Sequence, residues 1–276
     1  MTKGVLLFAL NNSEINYIKM AEDAAKRIHK FLNVPVSVIT DSDSAKQIAE
    51  ESLFDNIIIV EPEAYHLKRF HDGDKIAKSH WKNSHRNSSF DLSPYDETLV
   101  VDVDYVVNSD VLSYCWNQPH DFLIYKKSFD LGQRKDVSTF THISDYSIPF
   151  YWATVFYFRK TDQVEQFFSL VSHVKEHWRY YKFLFQMYSS SFRNDFAFSV
   201  AIHIMNGYSS GDFAKALPGK LFYTLDRDIF VKKKERDFYF LVEKEKVENE
   251  YIPLKVSNND VHIMNKYSLL RMLEND

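Results

Sequence analysis

The N-terminal segment of the chain alternates short apolar runs with amphipathic stretches, and this alternation restricts the possible folds more than any other feature. Gly4–Leu10, Val34–Thr40 and Asp55–Pro62 are short runs rich in Val, Leu and Ile, as expected of strands buried on both faces of a sheet. Between them, Ile15–Leu32 has apolar residues at helical spacing, and Ala45–Ser52 predicts a second, short helix. Strands and helices in this order, with short connections, predict a Rossmann-like α/β fold with a parallel sheet.

The rest of the chain adds strands and helices to this sheet. Asp96–Val107 predicts the fourth strand, and Asp121–Lys127 and Tyr151–Lys160 predict two more. Residues 162–187 and Arg193–Gly207 are predicted helices, followed by hairpin-like strands and a C-terminal tail. The 276 residues contain no convincing linker and no internal repeat. We therefore expect a single α/β domain over residues 1–276, with a central, mostly parallel sheet flanked by helices and a C-terminal β/α extension.

Composition excludes several classes of protein. The formal net charge is −4, so no overall field attracts the chain to nucleic acid or to an anionic membrane, and any such contact requires a local patch. The single cysteine, Cys115, excludes an intramolecular disulfide and a cysteine-based zinc site, and suits a reducing compartment. No secretory signal is recognisable, and no segment approaches the roughly 18 apolar residues of a membrane span. We expect a cytoplasmic protein without a membrane span.

Two acids interrupt the predicted fourth strand, in the stretch ETLVVDVDYVV. Asp102 and Asp104 stand two residues apart, so on an extended strand their side chains point the same way. Two like charges at one strand end repel each other and lose hydration, whereas a divalent cation such as Mg²⁺ or Mn²⁺ would satisfy both. The alternative is that one or both acids only cap the strand at the surface. The two acids are predicted at the carboxyl edge of a parallel sheet, where ligands of such folds bind, and this position favours cation binding over capping.

A hydrophobic strand followed by D-x-D resembles the GT-A glycosyltransferases, most closely the glycogenin/galactosyltransferase-like group. Further short motifs follow in the order of that family: KSHWKNSHRNSSF as a Lys-and-aromatic helix before the strand, then WATVFYFRK, RNDFAFSV and finally HIMNK. The likeness spans nearly the whole chain. There is no G-x-G-x-x-G and no G-x-x-x-x-G-K-[ST], which counts against a dinucleotide dehydrogenase and a P-loop enzyme.

The resemblance implies a GT-A fold and a metal-dependent transfer of sugar from a nucleoside diphosphate sugar, most often a UDP-sugar. It implies that residues 1–107 form the nucleotide-binding half and that residues 108–276 form the acceptor side and the C-terminal part of the metal site. Mn²⁺ or Mg²⁺ would be held by Asp104 and His262, with Asp102 near the ribose or the metal, and Lys266 would contact the diphosphate. Other donor-binding candidates are Leu10, Asn11, Asn12, Tyr17, Asp41 and Lys78.

The same resemblance makes Asp195 the catalytic candidate, facing the sugar or the acceptor. It leaves open whether the reaction retains or inverts the sugar configuration. The structural alternative is an acid at a helix N-terminus, with Asn194 as the cap. For Asn11 the alternative is a helix cap, and for Asp41 a turn. His203 is expected to be a core histidine.

Basic residues point to a polyanionic acceptor. Lys78, Lys82 and Arg86 recur every four residues and would form one basic face if this segment were helical; a solvated surface is the alternative. Residues 66–89 and 126–135 mix basic and aromatic residues, which suits a nucleic-acid surface. At a net charge of −4, a solvated face balanced by acids elsewhere is an equally good interpretation of both segments.

The Gly- and Pro-poor composition is similar to that of glycosyltransferases carried by large tailed phages, which implies hydroxylated cytosine in phage DNA as the acceptor, with glucosyl or arabinosyl transfer in the host cytoplasm. Surface glycans, proteins and oligosaccharides are competing acceptors. A non-catalytic nucleotide-sugar- or DNA-binding protein and a sugar nucleotidyltransferase are the alternative functions.

Overall fold

The computed structural model describes residues 1–61, 68–71, 74–80, 82–132, 141–144, 147–187, 191–225, 227–244 and 250–275, with the backbone alone for 68–71, 74–80 and 275. The strands in chain order are β1 (Lys3–Phe8), β2 (Val36–Thr40), β3 (Asn56–Ile59), β4 (Lys68–His71), β5 (Asp74–His80), β6 (Glu97–Val101), β7 (Tyr105–Val106), β8 (Phe122–Tyr125), β9 (Ser128–Asp130), β10 (Trp152–Arg159), β11 (Lys215–Ala216), β12 (Leu221–Thr224), β13 (Phe230–Lys234), β14 (Asp237–Glu243), β15 (Tyr251–Ser257) and β16 (Val261–Ile263). The α-helices are α1 (Tyr17–Phe31), α2 (Ser42–Ala45), α3 (Ser89–Leu92), α4 (Asp162–Glu176), α5 (Trp178–Leu184), α6 (Asn194–Met205) and α7 (Lys266–Asn275), with 3₁₀ turns at Glu51–Leu53, His85–Ser88 and Val111–Asn117.

The central sheet has seven strands in the order β11-β8-β10-β6-β1-β2-β3. β1 pairs in parallel with β2 and β6, β2 with β3 and β8 with β11, whereas β10 runs antiparallel to both of its neighbours. The five residues of β2 are all buried, as expected for a strand covered on both faces. The predicted fold class, a mostly parallel sheet flanked by helices, is confirmed.

Aromatic side chains fill the space between β8, β10 and the two helices α4 and α6. Phe122 lies 4.5 Å from Phe167, and Phe156 lies 4.9 Å from Phe198, measured between ring centroids. Such tilted pairs stabilise a core beyond the burial of their area. This cluster accounts for much of the high aromatic content.

Three smaller sheets complete the architecture. One has the order β7-β16-β12-β9, one is the antiparallel sheet β13-β14-β15, and β4 pairs with β5. The first of these joins strands from before and after α6, so the C-terminal extension folds back onto the sheet edge. None of the described helices is long and apolar enough to cross a membrane.

Three local predictions are wrong. The helix predicted over Ala45–Ser52 is α2, which begins earlier because Asp41 accepts the N–H of Ser44, and after Ala45 the chain tightens into i→i+3 turns. The helix predicted over 162–187 is broken at His177 into α4 and α5. Lys78 lies in β5, so it does not share a helical face with Lys82 and Arg86.

Gly4 is required on β1 because a ring packs against its Cα. A Cβ built on Gly4 would lie 2.3 Å from Cζ of Tyr95, whose hydroxyl is 2.7 Å from Oγ of buried Ser37. Gly4→Ala is therefore expected to lower the free energy of unfolding by roughly 1–3 kcal/mol, the usual effect of overpacking. Urea denaturation measures this loss. Gly207→Ala, whose Cβ would meet nothing within 4 Å but whose φ is 66°, is the comparison that separates overpacking from backbone strain.

Candidate metal and donor site

Asp102 and Asp104 lie in a turn and not on one strand. β6 ends at Val101, the N–H of Asp102 donates to the carbonyl of Thr154 at 3.0 Å, and the N–H of Tyr105 donates to the carbonyl of Asp102 at 2.9 Å. The chain then enters β7, in a different sheet. The expectation that strand alternation aligns the two carboxylates is wrong. The i→i+3 turn at the carboxyl edge of the sheet places them instead.

His262 reaches this turn through strand pairing. β16 runs antiparallel to β7 with His262 opposite Tyr105, and the N–H of Ile263 donates to the carbonyl of Asp104 at 2.9 Å. As a result, one ligand atom each from Asp102, Asp104 and His262 lies within 4.8 Å of the others. The structure thus brings together the three residues predicted as metal ligands.

Asp104 is buried and ionised beside Lys266 and His262. Its Oδ2 lies 2.8 Å from Nζ of Lys266, the first residue of α7, and 3.2 Å from Nε2 of His262. Burial alone would raise the pKa of Asp104, but the charges and hydrogen bonds of Lys266 and His262 outweigh it and hold that pKa far below its ordinary value.

The donor set suits a divalent cation. Mn²⁺ binds both carboxylates and imidazole, whereas Mg²⁺ prefers the carboxylate oxygens. Nδ1 of His262 is buried and has no hydrogen-bond partner among the residues that the structure describes, so that nitrogen is not committed to another protein group. An Asp-Asp-His group able to hold a metal is therefore present.

Arg86 is the site residue for which sequence reasoning offered only a place on a basic face. It is buried, and its guanidinium contacts both the carboxylate of Asp102 and the carbonyl of Ala153 on β10. A planar guanidinium can serve two oxygens at once, so Arg86 ties the metal-site turn to the neighbouring strand. The sequence places Arg86 in the basic segment KSHWKNSHR, but no local pattern there indicates that its side chain is buried.

Asp195 lies in the first turn of α6, one residue beyond Asn194, which begins that helix and is not its cap. Its Oδ1 accepts the N–H of Ala153 at 2.8 Å, and its Oδ2 lies 2.6 Å from Nη2 of Arg193. Because Arg86 contacts the carbonyl of Ala153, the backbone of Ala153 connects Asp195 to Asp102 through Arg86. Asp195 is thus next to the site, with both carboxylate oxygens engaged; its catalytic role stays a prediction.

A polar cavity of about 400 Å³ opens at the ends of β1 and β2. Its lining includes two of the predicted donor-binding residues and one cation, together with neighbouring polar side chains: Asn11, Asn12, Ser13, Asp43, Ser44, Gln47 and Lys82. This volume lies within the usual range of small-ligand pockets.

Asn11 and Asn12 also shape the backbone here. Oδ1 of Asn11 accepts the N–H of Ile18 in α1, and Oδ1 of Asn12 accepts the N–H groups of Glu14 and Ile15. The N-cap of α1 is Asn16, so Asn11 is not the cap of that helix, although it accepts an N–H of the first turn. Both asparagines stay on the cavity wall.

The remaining donor candidates take different positions. Leu10 is buried, and its backbone N–H and C=O both bind the side-chain amide of Asn83, a residue that the sequence did not single out.

Asp41 is buried, and its Oδ2 lies 3.3 Å from Nζ of Lys82. Burial would raise the pKa of Asp41, but hydrogen bonds from Ser44 and the charge of Lys82 lower it. Tyr17 is buried at the start of α1, and the side chain of Lys78 lies outside the described residues.

A buried acid supports the segment that carries His262. Asp260 accepts hydrogen bonds from the N–H of Asn108 at 2.7 Å, Oγ of Ser109 at 2.9 Å and the hydroxyl of Tyr105 at 3.3 Å. Burial raises the pKa of Asp260 to about 6 despite these bonds. The network anchors the start of β16 to the residues that follow the D-x-D turn.

The raised pKa predicts a pH effect on stability. Because the folded state binds this proton more tightly than the unfolded state, the contribution of Asp260 is fully present below pH 4 and is lost as pH rises through 6. Asp260→Asn keeps an acceptor for Asn108 and Ser109 and removes the charge. Between pH 4 and pH 7 the wild type should therefore lose on the order of 2–3 kcal/mol of unfolding free energy relative to the variant. Urea unfolding of both proteins across this range measures the difference, and parallel curves would contradict it.

No protein-family model matches the sequence, and no curated protein matches it. Among solved structures, the galactosyltransferase LgtC in complex with donor and acceptor sugar analogues is 14% identical, with 80% of this chain and 75% of that chain covered and a TM-score of 0.51. The glycosyltransferase GlyE of Streptococcus pneumoniae TIGR4 is 13% identical over 79% of this chain and 46% of that chain, with a TM-score of 0.44. Core-mannan synthase A from Aspergillus fumigatus, in its Mn/GDP form, is 11% identical over 72% and 69%, with a TM-score of 0.38.

The likeness to LgtC, with a TM-score of 0.51 and 14% identity, establishes the fold alone. The fold is of the GT-A glycosyltransferase type, as the sequence motifs predicted.

Proposed function

We propose that this chain is a metal-dependent glycosyltransferase that moves a sugar from a nucleoside diphosphate sugar to an acceptor hydroxyl. The observation that carries the proposal is the convergence of Asp102, Asp104 and His262 at the carboxyl edge of a GT-A sheet, with ligand atoms within 4.8 Å of one another. Crevices at this edge are where open α/β sheets bind their ligands.

Each residue of the group has a distinct part in binding the donor diphosphate. Asp104 and His262, with Asp102, would hold the divalent cation, which neutralises the charge that develops on the diphosphate as it leaves. Lys266, whose Nζ lies 2.8 Å from Asp104, adds a positive charge at the same place. Arg86 orients Asp102 through the contact of its guanidinium with that carboxylate.

The cavity beside Asn11 and Asn12 is the proposed place of the nucleotide base. Its polar lining offers amide, hydroxyl and ammonium groups that suit the edge of a uracil and a ribose. Uridine is the base that the family resemblance implies, and Lys82, which lines this cavity, pairs with Asp41 at 3.3 Å. UDP-sugar is therefore the proposed donor.

Asp195 is proposed to act on the acceptor side. Its pairing with Arg193 at 2.6 Å orients the carboxylate. In an inverting reaction it would accept the acceptor proton, and in a retaining reaction it would orient the sugar. The anomeric configuration of the product distinguishes these roles.

Titration calorimetry of the wild-type chain with UDP, GDP, CDP and ADP, each with and without Mn²⁺, tests the proposal. We expect one nucleotide, UDP, to bind in a metal-dependent manner. Binding of none of the four at millimolar concentration, with or without Mn²⁺, would refute the donor site. Metal-independent binding of UDP would retain a nucleotide site and reject the metal.

A hydroxylated cytosine in DNA stays the narrower prediction for the acceptor. Lys82 and Arg86 from the first basic segment face Asp41 and Asp102, and Arg134 and Lys135 from the second lie outside the described residues.

If DNA is the acceptor, its binding constant should fall by at least about tenfold between 50 and 200 mM salt, because lysine and arginine displace counterions from phosphates. Fluorescence anisotropy of a labelled duplex measures this. A salt-insensitive interaction would leave glycans and proteins as the acceptors.

A further inference from the structure

Gln47 lines the polar cavity at the ends of β1 and β2, together with Asn11 and Asn12. It lies in the turn that follows α2, where its N–H donates to the carbonyl of Ser44 at 2.9 Å. Oγ of Ser44 accepts the N–H of Asn11 at 2.8 Å, so this turn is held against the residues that follow β1. The sequence pattern did not single out Gln47, because its partner Asn11 lies 36 residues away along the chain.

The main chain of α1 sets the orientation of the Gln47 amide. Oδ1 of Asn11 accepts the N–H of Ile18 at 3.0 Å, and because a backbone N–H can only donate, the amide nitrogen of Asn11 occupies the other branch. This Nδ2 donates to Oε1 of Gln47 at 3.0 Å. Oε1 is therefore engaged as an acceptor, and Nε2 is the end of the Gln47 amide that is not bonded to Asn11. Within the described part of the chain, no acceptor receives an N–H of this Nε2.

The other groups of the lining also present donors. Oδ1 of Asn12 accepts the N–H groups of Glu14 and Ile15 at 2.9 and 2.8 Å, so Nδ2 is the end of that amide left for a ligand. Lys82 has only N–H donors. Asp43 supplies a carboxylate, but its side chain is 89% exposed and is engaged by a neighbouring lysine at 2.8 Å. A ligand of this cavity is therefore expected to present acceptors.

A donor at this place distinguishes the two pyrimidine bases. Uracil carries a carbonyl oxygen at C4, which accepts a hydrogen bond, whereas cytosine carries an amino group there, which donates. The carbonyl at C2 is common to both bases. An amide NH₂ group can donate to uracil at C4 but would meet the amino group of cytosine donor to donor. Because a polar group left without a partner loses its hydration for no bond, such a site discriminates against cytosine.

We propose that Gln47 selects uracil over cytosine by donating from Nε2 to the carbonyl oxygen at C4 of the base. Asn11 and the N–H of Ile18 determine which end of the Gln47 amide is presented to the ligand. The inference rests on the proposed function, since it takes the cavity as the binding place of the nucleotide base. It adds to that function the residue that determines which pyrimidine is bound.

Titration calorimetry of the full chain with UDP and with CDP, in the presence of Mn²⁺, tests the inference. The readout is the ratio of the two dissociation constants, because both nucleotides carry the same diphosphate and a new charge on the protein affects them alike. The wild type should bind UDP at least about tenfold more tightly than CDP. Gln47→Glu keeps an acceptor for Asn11 and replaces the NH₂ group by an oxygen, so it should shift the ratio by at least about tenfold toward CDP. Gln47→Ala removes the donor and should lower the preference for UDP without reversing it.

Ala49→Glu is the matched control, because it adds the same negative charge two residues away, at an exposed position outside the cavity lining. It should leave the ratio at the wild-type value. The inference is overturned if the wild type binds CDP as tightly as UDP, or if both Gln47 variants bind nucleotide with the wild-type ratio. Either result leaves the metal-dependent donor site intact. If the wild type binds neither nucleotide, the donor site fails together with the inference, so the two failures are distinguishable.

Discussion

Asp104→Asn is expected to abolish metal-dependent nucleotide binding and to lower sugar transfer by at least about 10²–10³-fold. The carboxylate lies within hydrogen-bonding distance of both His262 and Lys266 and is one of the three grouped ligands. An amide is a weaker ligand for a hard cation and cannot balance the charge of Lys266. Calorimetry with UDP and Mn²⁺ and a transfer assay measure the two effects.

The same substitution is expected to destabilise the fold, so stability has to be measured alongside binding. It removes the carboxylate that lies 2.8 Å from Nζ of Lys266, a side chain that is 6% exposed, and breaking a buried pair costs about 3–5 kcal/mol. Asp104→Asn/Lys266→Met removes both partners and should recover much of the lost stability without recovering metal binding. Asp110→Asn, the same change at an exposed acid nearby, is the control. Full nucleotide binding by a folded Asp104→Asn variant would return the two acids to a capping role.

Arg86→Met is expected to lower the free energy of unfolding by about 3–5 kcal/mol and to weaken donor binding. It leaves the carboxylate of Asp102 and the carbonyl of Ala153 without the guanidinium that contacts both. Arg86→Lys keeps the charge but not the planar fork, so it should recover only part of the loss. Chemical denaturation and the metal-dependent binding constant of UDP are the two readouts.

A matched control separates the role of Arg86 from a general loss of charge. Arg227→Met removes an arginine whose side chain is 64% exposed and lies 3.9 Å from Glu243, and such surface pairs contribute at most about 1 kcal/mol. If Arg86→Met is no less stable than Arg227→Met and binds UDP normally, Arg86 does not position Asp102.

Local sequence patterns were sufficient for the α/β class and for the two acids of the candidate metal group, whereas His262 came from the family resemblance. The apolar run at Gly4–Leu10 and the helical spacing of Ile15–Leu32 report burial directly, because a strand or helix must match the side-chain period of its own surroundings. The pair D-x-D and the motif HIMNK contain the residues that the structure places within 4.8 Å, but the reason given for their alignment was wrong. Strand alternation could not show that β6 ends at Val101 and that a turn orients the acids.

The inward-facing cations show where local pattern fails. Lys82 and Arg86 resemble a solvated basic face in the sequence, yet they contact Asp41 and Asp102. The helical pattern of residues 162–187 likewise does not indicate that Phe183 and Leu184 are exposed. Both outcomes depend on which distant segments surround the helix or loop, and a single window of sequence carries no information about them.

The period of hydrophobic residues, the strand-to-helix order and the spacing of the two acids are properties of short segments, so the α/β class and the cation hypothesis for Asp102 and Asp104 could be inferred from the chain alone. The resemblance to a family added His262 to that hypothesis. The antiparallel insertion of β10, the return of β16 to the D-x-D turn, and the contact of Arg86 with Ala153 are decided by pairing between segments far apart in sequence. Such pairing depends on the shared burial of whole elements, and only the assembled tertiary structure specifies it.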